Sequence, residues 1–116
     1  MSLDLANITF DCRDAKALGD FWSAALERPV GDLHSPEVTI LPGTPTYLFV
    51  AVPEGKMAKN RVPIDLVAYD RRAELARLVT LGATEVRDVD EWGISWTVLT
   101  DPEGNEFCVA QHPEGT

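Results

Sequence analysis

Four positions in this sequence have side chains suited to chemistry and sit in short β-like runs: Asp11, Asp65, Glu106 and Cys108. Carboxylates held close together raise one another's pKa. One of them can then act as a general base, or the group can bind a cationic ligand. The plainer alternative is three solvated acids at a rim, paired with Lys59 or Arg61. A nucleophilic Cys108 would need a basic partner. The only histidines, His34 in a loop and His112 in the tail, are poorly placed for that. Cys108 therefore reads as a small pocket-lining residue, and Cys12 as core. Trp92, Trp96, Tyr47 and Phe49 could form a wall for a planar ligand, or simply pack. Trp22, beside Phe21 on a helical face, reads as core. Arg61 could hold a ligand carboxylate or phosphate, or pair with one of the many acids. There is no glycine-rich phosphate loop, no GxSxG and no Ser-His-Asp set.

Composition narrows the partners. The chain has 116 residues, 45% hydrophobic and 25% charged, which is a globular mix sized for one domain. Its formal net charge of −9 disfavours a nucleic-acid backbone or an anionic membrane, both of which are bound through clustered Lys and Arg. No apolar run approaches the length of a membrane span. Met1 to Ala6 lacks the basic-then-apolar pattern of a secretion signal. Two cysteines outside any CxxC pair read as reduced thiols. A cytoplasmic protein is expected.

The elements that must position the candidate residues follow from patterning. Leu5 to Cys12 favours a strand. Asp14 is suited to cap a helix whose apolar positions Leu18, Phe21, Trp22, Ala25 and Leu26 recur at spacings of three and four, with Pro29 and Gly31 ending it. Glu37 to Leu41 and Thr46 to Val52 read as strands around the turn Pro42-Gly43-Thr44-Pro45. Pro53 to Arg61 reads as a connector, and Val62 to Tyr69 as a strand. Asp70 caps a second helix that Gly82 stops. Strands Glu85 to Val89, Ile94 to Thr100 and Glu106 to Gln111 follow, with turns at Glu91-Trp92-Gly93 and Asp101 to Asn105. The order is β-α-β-β, connector, β-α-β-β-β. Ile8 to Asp14 lies over Ile64 to Asp70, each strand leading into an Asp that caps the next helix, as in one unit used twice.

The segment TVLTDPEGNEFCV, Thr97 to Val109, resembles the last hairpin of the glyoxalase/bleomycin-resistance/dioxygenase proteins, the vicinal-oxygen-chelate superfamily. KNRVPIDL, Lys59 to Leu66, followed by a helix ending in LVTLGAT, resembles the start of that family's second module. ITFDCRDAKALGDFWSAAL resembles the start of the first. The resemblance covers roughly residues 5 to 111. It implies an α+β fold of two βαβββ-type modules, a curved half-barrel cleft and helices on the outer faces. Module one would span about 5–52, the connector 53–61 and module two about 62–111, all within a single domain over 1–116.

Within that fold, strand alternation assigns faces. Ile8, Phe10 and Cys12 should face a helix, and Asn7, Thr9 and Asp11 the cleft. Ile64, Leu66 and Ala68 should face a helix, and Pro63, Asp65 and Val67 the cleft. Phe107 and Val109 belong to the core, and Glu106, Cys108 and Ala110 to the cleft. The expected ligand-binding set is Asn7, Thr9, Asp11, Phe49, Asp65, Trp96, Glu106 and Cys108. Metal-dependent relatives hold a divalent cation through His on the first and fifth strands and a carboxylate on the last. Here those positions carry Asn7, Pro63 and Cys108, so no metal and no cofactor is expected. The resemblance then implies a protein that binds, and by sequestering confers resistance to, a small organic molecule. Alternatives are a metal-independent isomerase, dehydratase or lyase with Asp11 or Asp65 as base, a metal-dependent lyase or dioxygenase, and an interaction module with a vestigial cleft. The exposed edges of such sheets also predict a homodimer.

Overall fold

A computed structural model describes residues 5–53, 64–91 and 93–113. The chain divides into two compact units, Met1–Met57 and Ala58–Thr116. The first contains β1 (Asn7–Cys12), α1 (Ala15–Leu26), β2 (Val38–Leu41) and β3 (Thr46–Ala51). The second contains β4 (Ile64–Ala68), α2 (Arg71–Leu81), β5 (Thr84–Glu91), β6 (Ile94–Thr100) and β7 (Glu106–Gln111). The fold class is α+β, as expected. Lys59, Asn60, Arg61, Pro63 and Trp92 lie outside the described residues.

The two sheets share one plan at different widths. In the first the order is β1-β3-β2, with β1 parallel and β2 antiparallel to β3. In the second the order is β4-β7-β6-β5, with β4 parallel to β7 and the rest antiparallel. The second unit is therefore a full βαβββ module, whereas the first has three strands. Its missing outer strand survives as the segment from Gly31 to Ser35. There the Gly31 amide donates to Ile40 O, the Ile40 amide to Leu33 O and the Ser35 amide to Val38 O, but only His34 and Thr39 form a bridge. Pro29, Gly31 and Pro36 bracket this stretch, and residues of that kind shorten edge strands.

Both helices begin as the sequence predicts. The Asp14 carboxylate accepts from the Ala17 amide at 3.1 Å, and Asp70 from the Ala73 amide at 3.2 Å. Helix α1 stops earlier than Pro29 or Gly31 would require. Glu27 takes the left-handed conformation at φ 55°, and its amide turns back to Ala24 O and Ser23 O. Arg28 then ties the helix end to the β2–β3 turn, donating to Pro42 O and Pro45 O at 2.7 Å each and lying over the Tyr47 ring. Helix α2 ends on Gly82, as predicted, at φ 125°.

Each helix covers one face of its own sheet. Under α1, Phe10 meets Trp22 and Phe49 with ring centroids 6.2 and 5.1 Å away, and Trp22, Phe49, Leu18 and Leu41 are fully buried. At Gly19 a Cβ would collide with the Thr39 methyl. Thr39 is itself completely buried and its hydroxyl donates to Ser35 O. Under α2, Leu75 and Leu78 pack into a core that includes Leu99, Phe107 and Val109. A polar chain also crosses this side. The Arg71 guanidinium donates to the buried Thr97 hydroxyl, which donates to Asp88 at 2.7 Å, and Arg72 reaches the other Asp88 oxygen at 3.0 Å. The Thr97 hydrogen bond first, and Arg72 second, hold the Asp88 carboxyl below its ordinary range.

The Asp101 to Asn105 turn is held by one buried carboxylate. Asp101 accepts from the Glu103 and Asn105 amides at 2.9 and 3.0 Å and from the Asn105 side chain at 3.0 Å. Asp101→Ala should leave those donors unmatched and lower unfolding stability by about 2–4 kcal/mol, measured by urea titration. Gly19→Ala should cost about 1–3 kcal/mol by driving a methyl into Thr39. In a Thr39→Ser background the same substitution should cost measurably less, because the opposing methyl is gone. An equal penalty in both backgrounds would show that the strain lies elsewhere.

Candidate functional site

The face of each sheet away from its helix carries most of the predicted site residues. In the first unit, residues paired across the strands share a face, so Asn7 groups with Thr46, Thr9 with Leu48 and Ile40, and Asp11 with Val50 and Val38. Asn7, Thr9 and Asp11 are exposed, and the Thr9 hydroxyl donates to Asn7 Oδ1 at 3.3 Å. Phe49 departs from expectation. It pairs with Phe10 and Thr39, which places it on the α1 side, fully buried. Tyr47 shares that side, stepping two residues from Phe49, with its ring 6.3 Å from Phe10. The aromatic wall expected from Tyr47 and Phe49 is thus core packing, because β3 pairs in register with the helix-facing residues of β1.

In the second unit the helix-free face is built in rows. One row runs Asp65 (β4), Cys108 (β7), Val98 (β6), Arg87 (β5). The next runs Val67, Ala110, Trp96, Val89. Glu106 lies on the same face two residues before Cys108 and opposite Thr100. The structure therefore brings Asp65, Trp96, Glu106 and Cys108 together on one surface. Asp11, the third predicted carboxylate, belongs to the other unit. Val98 is buried, Cys108, Trp96 and Ala110 are half-buried, and Asp65 and Arg87 are exposed. The floor is thus small and apolar, and the charged groups stand at its ends.

Arg87 is the residue that sequence reasoning missed. The β5–β6 ladder is regular from Glu91↔Ile94 to Arg87↔Val98 and then slips, so that Glu85 pairs with Leu99. The extra residue, Val86, makes a bulge. Without it, a strand counted from Glu85 would turn Arg87 toward α2 and Asp88 away from it, because a one-residue slip exchanges faces. Strand β5 also runs on through Glu91, so the link to β6 is two residues rather than the expected three. Such a link fixes pairing from the turn side, and is the only local signal that would have placed Arg87.

The electrostatics of this face centre on Cys108. Partial burial pushes its thiol pKa up, and the Asp65 carboxylate adds to this by its charge and by accepting the thiol hydrogen bond. Glu106 pushes the same way and Arg87 opposes it. The thiol is therefore a protonated donor rather than a nucleophile at neutral pH. Nor do the residues at the family's metal positions fit a divalent ion. Asn7 is a poor ligand and Pro63 has no side-chain donor, which leaves Cys108 as the one good ligand of the three. Among the described residues no three His, Cys, Asp or Glu side chains are grouped to hold a metal. His34 bonds Asp20 at 2.7 Å in the first unit, and His112 stacks on Tyr69 at 4.1 Å beyond the ends of β4 and β7.

Removing the Asp65 charge should lower the Cys108 pKa. Asp65→Asn is expected to speed iodoacetamide alkylation at pH 8 several-fold, since a full unit of pKa is tenfold in the equilibrium. Cys12 is buried and donates to Val50 O, so the rate reports Cys108. An unchanged or slower rate would show that Asp65 does not act on the thiol.

Comparison with known proteins agrees with this architecture. No curated protein matches the chain. Its fold is similar to that of a glyoxalase/bleomycin resistance protein/dioxygenase family enzyme from Burkholderia phytofirmans PsJN, with TM-score 0.78, 18% identity, and 94% of this chain and 98% of that one covered. It is similar to the fosfomycin resistance protein FosX from Mesorhizobium loti, with TM-score 0.74, 13% identity, and 97% and 94% covered. The lactoylglutathione lyase from Agrobacterium tumefaciens gives TM-score 0.60, 14% identity, and 95% and 94% covered. The sequence model of the glyoxalase-like domain matches residues 7–110, across both units, and the chain belongs to that family.

Proposed function

We propose that the protein binds a small organic molecule on the helix-free face of its second sheet, without a metal ion, and removes that molecule from solution by holding it. The observation that carries this reading is the composition of the face. Val98, Ala110 and Trp96 supply an apolar floor, and a few polar groups, Asp65, Cys108, Glu106 and Arg87, stand around it. Ligand sites combine apolar walls with sparse polar anchors in this way. The similarity to a fosfomycin resistance protein supports a resistance-type role, and that to a lactoylglutathione lyase supports the same small-molecule scale.

A second reading has one observation in its favour. Asp65 stands opposite Cys108 on the helix-free face, in the row that holds Val98 and next to the row that holds Trp96. There it could serve as the base of a metal-free isomerisation, dehydration or lyase step. The protein would act in the cytoplasm as a homodimer. Among the described residues neither Cys12 nor Cys108 forms a disulfide, no helix is long and apolar enough to cross a membrane, and strands β1 and β4 each have one strand neighbour.

Native mass spectrometry with elemental analysis, on protein purified without chelator, tests this reading. The expected result is a dimer mass with no stoichiometric metal, either clean or carrying an adduct of small-molecule size. A metal retained through dialysis at one per chain would overturn the metal-free reading. A monomer mass would overturn the dimer alone.

A further inference from the structure

The row Asp65–Cys108–Val98–Arg87 crosses all four strands of the second sheet, with opposite charges at its two ends. Strands lie about 4.8 Å apart, so the outer Cα atoms of the row are roughly 14 Å from each other. Both end groups lie on the helix-free face, Asp65 opposite Cys108 and Arg87 opposite Val98. Between them the floor is the buried Val98 and the half-buried Cys108, with Trp96 beside it in the next row. Glu106 adds negative charge at the Asp65 end. Guanidinium is suited to a planar anion, and carboxylates to an ammonium or other cation.

We infer that this face selects a ligand bearing both charges, an anionic group at Arg87 and a cationic group at Asp65 and Glu106, joined by a flat apolar body over Val98 and against Trp96. The inference rests on the proposed small-molecule binding and narrows it to a zwitterion with separated ends. Two features make both charges necessary. Asp65 and Glu106 flank Cys108 at one end, so a ligand carboxylate placed there would meet like charges. At the other end, the β5 bulge turns the guanidinium onto this face and Asp88 toward α2. A purely cationic ligand would therefore meet repulsion at Arg87, and a purely anionic one at Asp65 and Glu106.

Four probes of one shape separate the possibilities: 4-(aminomethyl)benzoate, 4-methylbenzoate, 4-methylbenzylamine and 4-methylbenzyl alcohol. Affinities would be measured by NMR titration, following the amides of Val98, Ala110 and Cys108 and the indole NH of Trp96. The expected result is that the zwitterion binds at least about tenfold tighter than any of the others. Arg87→Gln should remove the advantage conferred by the carboxylate and tighten 4-methylbenzylamine, since the like charge is gone. Asp65→Asn should do the converse. Both replaced side chains are exposed, so the folded state is retained. If all four probes bind these residues with similar affinity, the charge-paired ligand class is overturned and the small-molecule face stands. The inference also falls if the zwitterion's advantage survives both substitutions. If none of the probes moves these signals at millimolar concentration, the inference and the proposed binding face fall together.

Discussion

One helix per sheet is the constraint on which everything else here depends. A helix buries a single apolar stripe, and a small sheet presents two faces. Packing α1 against β1–β3 and α2 against β4–β7 therefore commits every second residue to the core and leaves the alternate ones outside it. The closeness of that packing is visible at Gly19, which admits no side chain above Thr39. It is visible again at Thr97, a buried hydroxyl that is tolerated because Arg71 and Asp88 satisfy it. The chemistry of the protein is what the helices leave uncovered.

Local features of the sequence carried most of the fold. Asp14 and Asp70 announce their helices because a short acidic side chain matches the unpaired amides of a first turn. The Asp-Pro-Glu-Gly-Asn turn is legible because Asp101 gathers its donors from within four residues. What could not be read were matters of phase and pairing. Phe49 looks like a ligand-facing aromatic until its register with Phe10 is known, and register is a long-range property. The outer strand of the first module dwindles to the His34–Thr39 bridge beside Pro29, Gly31 and Pro36, as the three strands read from patterning anticipated, whereas the resemblance implied a full module. Of the site, Asp65, Cys108, Glu106 and Trp96 were visible by alternation, whereas Arg87 was hidden by a bulge.

The residues on the second sheet's free face differ from the two histidines and a carboxylate that the resemblance to metal-dependent proteins would call for. Where a ligating carboxylate would stand on the last strand, this chain has Cys108, kept protonated by burial and by Asp65. Such a thiol donates a hydrogen bond and presents a small soft surface. That suits holding a molecule better than attacking it, and leaves Asp65 as the group best placed to move a proton if a reaction occurs there.

The bulge in β5 has a consequence for how such a face changes over generations. The pairings on its two sides, Glu85 with Leu99 and Glu91 with Ile94, differ in phase by one residue. Deleting one residue from the hairpin loop would draw Glu91 into the turn, bring the whole ladder into a single phase and erase the bulge. Arg87 would then point toward α2, and Asp88 would take its place on the open surface. A single codon lost from the loop, with no strand residue altered, would thus exchange a positive end for a negative one, so insertions and deletions can retune this surface more abruptly than point substitutions.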